Sequence, residues 1–159
     1  MTRRRLAAIV LVSSCAILVV GCGGGGSSRL SAAEYKARLA TISQEADQAQ
    51  SAVGQALNAT TVAAIESGVT AFADAEDKLG DEVAKLKAPK DADAANTKLA
   101  KGLHDLASEI RVLLPDLRKQ ISTKAAVAFL DKNLNSAPGA RSLDTALSEL
   151  KTLGYTTGS

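Results

Sequence analysis

Three long stretches of the chain repeat apolar residues at alternating steps of four and three. In the first stretch the repeat consists of Tyr35, Leu39, Ile42, Ala46, Ala49, Val53 and Ala56. This spacing places all of these side chains on one face of an α-helix, whereas a half-buried strand would need a period of two. The stretch therefore predicts a long amphipathic helix that packs its apolar stripe against other helices.

The same spacing recurs twice further along the chain. The second stripe consists of Val62, Ile65, Val69, Phe72, Glu76, Leu79, Val83 and Leu86. The third consists of Leu99, Leu103, Leu106, Ile110, Leu113, Leu117 and Ile121. Because short turns join the three stretches, consecutive helices should be antiparallel neighbours. We predict an all-α fold, an antiparallel up-and-down bundle of three long helices plus a split or shorter fourth.

Capping residues mark several helix ends. Ser31 and Glu34 have the spacing of a capping box, which predicts that the first helix begins after Ser31. Pro89 disfavours helix at Ala88 and should end the second helix. Asp91 or Asp93 is the expected N-cap of the third helix.

Two prolines bear on the third and fourth helices. Pro115 lies inside the third stripe, whose phase continues across it, so we expect a kink rather than the start of a new helix. Residues 127–134 continue as a further helical stretch, which Pro138 interrupts. Ser142 is then the expected N-cap of a last helix, and Gly154 suits its left-handed C-cap.

Composition supports helices and argues against nucleic-acid binding. The chain contains 30 alanines, and alanine is the strongest helix former. It has two Tyr, two Phe and no Trp, and no Lys/Arg run lies beyond Arg3–Arg5. A basic stripe or a set of aromatic stacking platforms is therefore not expected, and we predict no nucleic-acid partner.

The first 22 residues have the pattern of a bacterial secretion signal. Arg3, Arg4 and Arg5 precede an apolar run of residues 6–20, which is too short to span a bilayer as a stable helix. The run closes on Val19-Val20-Gly21-Cys22, which resembles the lipobox of bacterial lipoproteins. The alternative is an uncleaved membrane anchor.

The lipobox resemblance implies how the chain is processed and where it is located. Residues 1–21 would be a signal peptide removed by cleavage, Cys22 would carry the lipid, and residues 22–30 would form a Gly/Ser tether. Residues 31–155 are then the helical bundle and residues 156–159 a frayed tail. The expected location is the extracytoplasmic face of the cell membrane, with the N-terminal lipid and an unknown envelope protein as partners.

A second resemblance covers the ends of the bundle. Leu30-Ser31-Ala32-Ala33-Glu34-Tyr35, followed by Ile42-Ser43, is similar to the N-terminus of small helical lipoproteins of actinobacteria. These proteins often have Cys where Ser43 stands, and a second Cys after a C-terminal Leu-Gly like Leu153-Gly154. Both cysteines are absent here, as expected if they pair in the relatives. The resemblance implies no enzymatic function.

The residues that remain carry little chemistry. Without Arg3–Arg5 the chain has 16 Lys/Arg and 17 Asp/Glu, a formal charge of −1. His104 is the only histidine, so neither a di-iron bundle nor a histidine-rich zinc site can be built. Ser148 and Lys151 match a Ser-x-x-Lys pattern, but its companion elements in serine β-lactamases are missing. We predict no catalytic residues, no metal and no cofactor, and hence a protein that is not an enzyme.

Glu76 departs from the apolar pattern of its stripe. If the second and third helices fold back near Lys90, Glu76 lies level with His104. We hypothesise a polar layer of Glu76 and His104, with Gln44 or Gln48 from the first helix, that sets the register or contacts a ligand. The alternative is that Ala73 and Ala75 fill the core and the Glu76 carboxylate reaches solvent.

These observations favour a lipid-anchored bundle that acts as a protein–protein interaction or envelope-associated module. The alternative is a small-ligand binding or carrier bundle. A filled Ala/Leu core would favour the first function, and a cavity lined by Phe72, Phe129 and Glu76 would favour the second.

Overall fold

A computed structural model describes residues 29–155 and confirms the all-α bundle. The predictions for the signal peptide 1–21, Cys22, the tether as far as Ser28 and the tail 156–159 lie outside the described residues. Five helices and no strand are found between residues 29 and 155. They are α1 (Ala32–Ala56), α2 (Val62–Lys85), α3 (Asp93–Leu117), α4 (Thr123–Leu134) and α5 (Pro138–Thr152).

Contacts between neighbouring helices show the antiparallel arrangement. Glu45 of α1 pairs with Lys78 of α2 at 3.3 Å, and Ala56 lies directly against Gly68 further along the same two helices. Glu66 of α2 pairs with Arg118 just after α3 at 2.6 Å. Consecutive long helices therefore run in opposite directions, as predicted.

The fourth helix of the bundle is split into α4 and α5. α5 runs antiparallel to α3, because Lys98 pairs with Glu149 at 2.6 Å and Leu143 packs against Gly102. α4 packs through Ala126 and Leu130 against the C-terminal half of α3. Two short helices thus cover the length that one long helix would occupy.

The N-terminus of α1 is capped as predicted. The Glu34 amide donates to the Ser31 hydroxyl at 3.3 Å, and the Ser31 amide donates to the Glu34 carboxylate at 2.9 Å. These reciprocal hydrogen bonds satisfy two donors that the first helical turn leaves free.

The predicted N-cap of α3 is wrong. Ala92 occupies that position without a side-chain hydrogen bond, and Asp93 is the first helical residue. The Asp91 carboxylate instead accepts a hydrogen bond from the Tyr155 hydroxyl at 2.9 Å. The Asp93 carboxylate forms an ion pair with Arg29. Both aspartates therefore bind residues distant in sequence, and neither caps the helix.

Pro115 lies inside α3, as expected, but the helix ends two residues later at Leu117. The predicted stripe therefore does not extend to Ile121, whose side chain is 97% exposed. The physical reason is the Ser122 hydroxyl, which accepts from the Ala125 amide at 3.2 Å and starts α4. Ile121 falls just outside that new helix.

The predicted cap of the last helix is also wrong, because Pro138 opens α5 and Ser142 lies within it. Pro suits the first helical position, where its missing amide hydrogen costs no hydrogen bond. The Gly139 amide donates to both Glu109 carboxylate oxygens at 3.1 Å, so a side chain of α3 caps α5. Gly154 has φ of 76°, the left-handed conformation predicted for the C-cap.

The bundle has two distinct ends. At one of them, here called the entry end, the chain enters the described structure. There the Leu30 amide donates to the Lys87 carbonyl at 2.7 Å and Arg29 donates to the Ala88 carbonyl at 2.7 Å. Residues 29 and 30, predicted as tether, are thus held against the α2–α3 loop. The opposite end, formed by the α1–α2 and α3–α4 turns, is called the free end.

Candidate functional site: a buried carboxylate between two apolar clusters

The buried apolar residues form two clusters along the bundle axis. The cluster at the entry end includes Leu79 and Leu103, and the cluster at the free end includes Ala73 and Ile110. On α2, Glu76 is the residue between them, and its side chain is only 5% exposed. A carboxylate therefore occupies the level at which the two halves of the core meet.

No hydrogen bond or ion pair of Glu76 is found within residues 29–155. Because every fully buried side-chain oxygen in this range has a hydrogen-bond partner, the Glu76 carboxylate oxygens keep a narrow contact with solvent. Burial without a compensating partner disfavours the ionised carboxylate and raises the pKa of Glu76 to about 7. At neutral pH the side chain is therefore divided between a neutral acid and a carboxylate. The stem of Glu76 is thus buried beside Ala73 while its carboxylate oxygens touch solvent, which agrees with the alternative placement considered for it.

His104 is engaged elsewhere, and no hydrogen bond or ion pair joins it to Glu76 within the described residues. Its Nδ1 lies 2.6 Å from an Asp77 carboxylate oxygen, and its Nε2 lies 3.7 Å from Asp81. Its ring covers Gly80, where an added Cβ would be 2.9 Å from the ring atoms. The direct pairing that the polar-layer hypothesis placed here is therefore not formed.

The helical geometry of α2 explains this separation. At about 100° per residue, Glu76 points to the middle of the buried face, whereas Asp77 and Asp81 point to its α3-facing edge. His104 reaches α2 along that edge, where Arg111 also pairs with Asp77 at 3.0 Å. The predicted level of His104 is close, but its angular position around α2 differs from the hypothesis.

Gln44 and Gln48 line an open groove on the outer surface of α1 and α2. The groove has a volume of about 580 Å³, and its α2 wall is formed by Ala75, Lys78 and Leu79. A second groove of about 500 Å³ continues towards the entry end. Neither groove is lined by Glu76, and neither contains the Phe72 and Phe129 side chains expected for a ligand cavity.

The entry end contains a hydrogen-bonded network that the sequence did not predict. The Tyr35 hydroxyl donates to Asn96 Oδ1 at 2.9 Å, and Asn96 Nδ2 donates to the Val83 carbonyl at 3.0 Å. The Tyr35 and Tyr155 rings meet edge to face at 5.1 Å. Tyr35 was expected only as an apolar stripe residue, and Asn96 carried no signal because it lies outside every repeat.

Residues 29–155 contain no group of three or more His, Cys, Asp or Glu side chains arranged to hold a metal ion. Across this same range, none of the helices combines the length and apolar character needed to cross a membrane. Comparisons of this chain with protein-family models, with curated proteins and with solved structures found no match.

Proposed function

We propose that this protein is a lipid-anchored helical bundle on the extracytoplasmic face of the cell membrane that binds another envelope protein. It is a binding module and not an enzyme. The observation that carries the binding role is a core of apolar side chains from all five described helices, together with two open grooves on the outer surface of α1 and α2.

Two features of the chain support the anchored location. Cys22 is the only cysteine outside the apolar leader, since Cys15 lies within it. Arg29 is held at the entry end by Asp93 at 2.6 Å, and six residues separate it from Cys22. A lipid on Cys22 would therefore keep the entry end close to the membrane and leave the free end directed away from it.

The free end offers a contact for a protein partner. Ile121 is 97% exposed there, and Val112 on α3 is 73% exposed. Single exposed apolar residues are common on protein surfaces. These two side chains therefore indicate positions for a crosslinking experiment and do not by themselves form an interface. A small-ligand carrier is less favoured, because the half-buried Phe72 and Phe129 pack against the free-end cluster.

The anchored location is tested on protein taken from the membrane fraction of the producing cell. Trypsin cuts after Arg29, so a chain processed at the lipobox yields a Cys22–Arg29 peptide that carries acyl chains. Mass spectrometry should find this peptide, and the Cys22→Ala variant should lack the acylated form. A chain that retains residues 1–21, or an unmodified Cys22, would contradict lipid anchoring.

The binding role is tested by placing a photo-crosslinking residue at position 112 in intact cells. We expect a discrete adduct with one envelope protein, and Ile121→Ser should reduce this adduct without lowering the stability of the bundle. Ala128→Ser on α4 is the matched control, since residue 128 is also exposed. A folded protein that yields no adduct from position 112 would contradict a protein-binding role.

A further inference from the structure

The groove nearest the entry end carries an excess of positive charge. It lies between the start of α1 and the end of α2 and has a volume of about 500 Å³. Arg38, Lys85 and Lys87 line it, and none of the three forms an ion pair with a described residue. Glu82 is the acidic residue of its lining, and it is bound to Lys78 at 3.3 Å.

Of the other thirteen lysines and arginines in residues 29–155, seven form ion pairs with described residues. The six that do not are Lys36, Lys90, Lys124, Lys132, Arg141 and Lys151, and none of these six lines either groove. Arg111 pairs with Asp74 and Asp77, and Arg118 pairs with Glu66. Lys98 pairs with Glu149 at 2.6 Å. The groove therefore brings three unpaired cations together in one place.

The groove also contains groups that suit a lipid headgroup in other respects. Leu30, Ile42 and Leu86 supply apolar surface. A phosphate among the cations and a glycerol backbone against the apolar side chains would find matching contacts.

The position of the groove identifies where such a headgroup would come from. Leu30 is part of the groove lining, and its amide is bound to the Lys87 carbonyl at 2.7 Å. The chain from Cys22 to Arg29 makes seven Cα-to-Cα steps and can span no more than about 25 Å when fully extended. An anchor at Cys22 therefore keeps this groove within reach of the bilayer surface.

We propose that the groove formed by Arg38, Lys85 and Lys87 docks on anionic phospholipid headgroups of the membrane that anchors the chain. This inference rests on the proposed anchoring, and it sets the orientation of the bundle with the entry end against the membrane. Each lysine near an anionic surface strengthens the attraction about fivefold, and the attraction decays within a Debye length of about 8 Å at physiological salt.

The test uses protein purified from membranes with its own anchor and reconstituted in vesicles of phosphatidylcholine, with or without about one third phosphatidylglycerol. A lysine-acylating reagent and mass spectrometry report the modification rate of each lysine. We expect Lys85 and Lys87 to react at least about fivefold more slowly on phosphatidylglycerol vesicles, and 1 M salt to abolish the difference. Lys124 and Lys132, which are far from the entry end, should react equally on both vesicles.

Two arginine variants test the part that Arg38 plays in docking. In Arg38→Gln, Lys85 and Lys87 should be less protected from acylation on phosphatidylglycerol vesicles. The matched variant Arg141→Gln should leave this protection unchanged. Equal rates at Lys85 and Lys87 on both vesicles would overturn the proposal. Protection by inorganic phosphate on purely phosphatidylcholine vesicles would also overturn it, because the groove would then bind a soluble anion. The Cys22–Arg29 peptide from the same digest reports lipidation separately, so failure of docking and failure of anchoring are distinguished.

Discussion

Among residues 29–155, two polar side chains are buried in the bundle, and they differ in whether they have hydrogen-bond partners. Asn96 at the entry end and Glu76 at mid-core are each 5% exposed. Asn96 accepts from the Tyr35 hydroxyl and donates to the Val83 carbonyl, so its side chain exchanges water for protein partners. Glu76 has no such partner within the described residues, and its pKa rises to about 7 because its charged form is poorly solvated.

The difference separates a polar group that specifies structure from one that weakens it. A buried hydrogen-bonded network favours one arrangement of the helices, because any other arrangement leaves its donors and acceptors unsatisfied. An unpaired buried carboxyl destabilises the fold whenever it ionises. The entry end is therefore fixed by specific contacts, whereas the mid-core level depends on the protonation of one side chain.

The largest effect should come from Glu76→Gln. Raising a carboxyl pKa from 4.5 to about 7 on folding makes the folded state bind the proton more tightly than the unfolded state. The wild-type free energy of unfolding then falls as pH rises from 4.5 to 7 and levels off above this range, by about 3 kcal/mol in total. The variant lacks this loss, so its advantage over wild type should grow by about 3 kcal/mol between pH 4.5 and pH 8.

Urea unfolding at a series of pH values measures this difference. Other carboxyl groups titrate alike in both proteins and cancel in the comparison. Glu45→Gln is the control, since its carboxylate lies at the surface beside Lys78 and should change stability by less than about 1 kcal/mol at each pH. A pH-independent difference for Glu76→Gln would show that Glu76 is paired or well solvated in the folded protein.

Asn96→Ala should have the next largest effect, in the opposite direction. The change leaves the buried Tyr35 hydroxyl without its acceptor and should lower the free energy of unfolding by about 2 kcal/mol. Tyr35→Phe should lower it by about 1 kcal/mol, and the double variant should lose less than the sum because the two residues share one hydrogen bond. Chemical denaturation of the three variants gives the coupling energy.

Asn133→Ala provides the control for Asn96. Its amide donates to the Phe129 carbonyl at 2.7 Å within the same helix and is half-exposed. Water can replace this hydrogen bond, so we expect a loss below about 1 kcal/mol. Equal losses at positions 96 and 133, or strictly additive losses at positions 35 and 96, would remove the distinction drawn for the entry end.

The sequence predicts the helices well because their signals are local. Ser31 with Glu34, and the apolar steps of four and three, act within one helix and need no tertiary information. Asp91 was misassigned as a cap because its partner, Tyr155, lies 64 positions away in the chain. Ile121 fits its stripe by spacing alone, and only the start of α4 at Ser122 takes it out of the core.

The candidate site was predicted in part for the same reason. Glu76 stood out because it occupies an apolar position of a regular repeat, and the structure buries it as that position requires. Whether Glu76 contacts His104 depends on the angular position at which α3 packs around α2. The spacing of residues along a single helix gives no information about that position. Asn96 lay outside the repeats, so its partners could be found only from the packing of α1, α2 and α3.

The smallest effect concerns the edge of α2, where His104 covers Gly80. Gly80→Ala places a Cβ 2.9 Å from the His104 ring and should displace it, offsetting the gain of about 1 kcal/mol that Ala brings to a helix. In a His104→Ala background this obstacle is absent, so the same change should stabilise the bundle by about 1 kcal/mol. Thermal unfolding of the single and double variants measures the difference. If Gly80→Ala were equally stabilising in both backgrounds, the His104 ring would not be held against Gly80, and this edge of α2 would not be fixed by contacts as the entry end is.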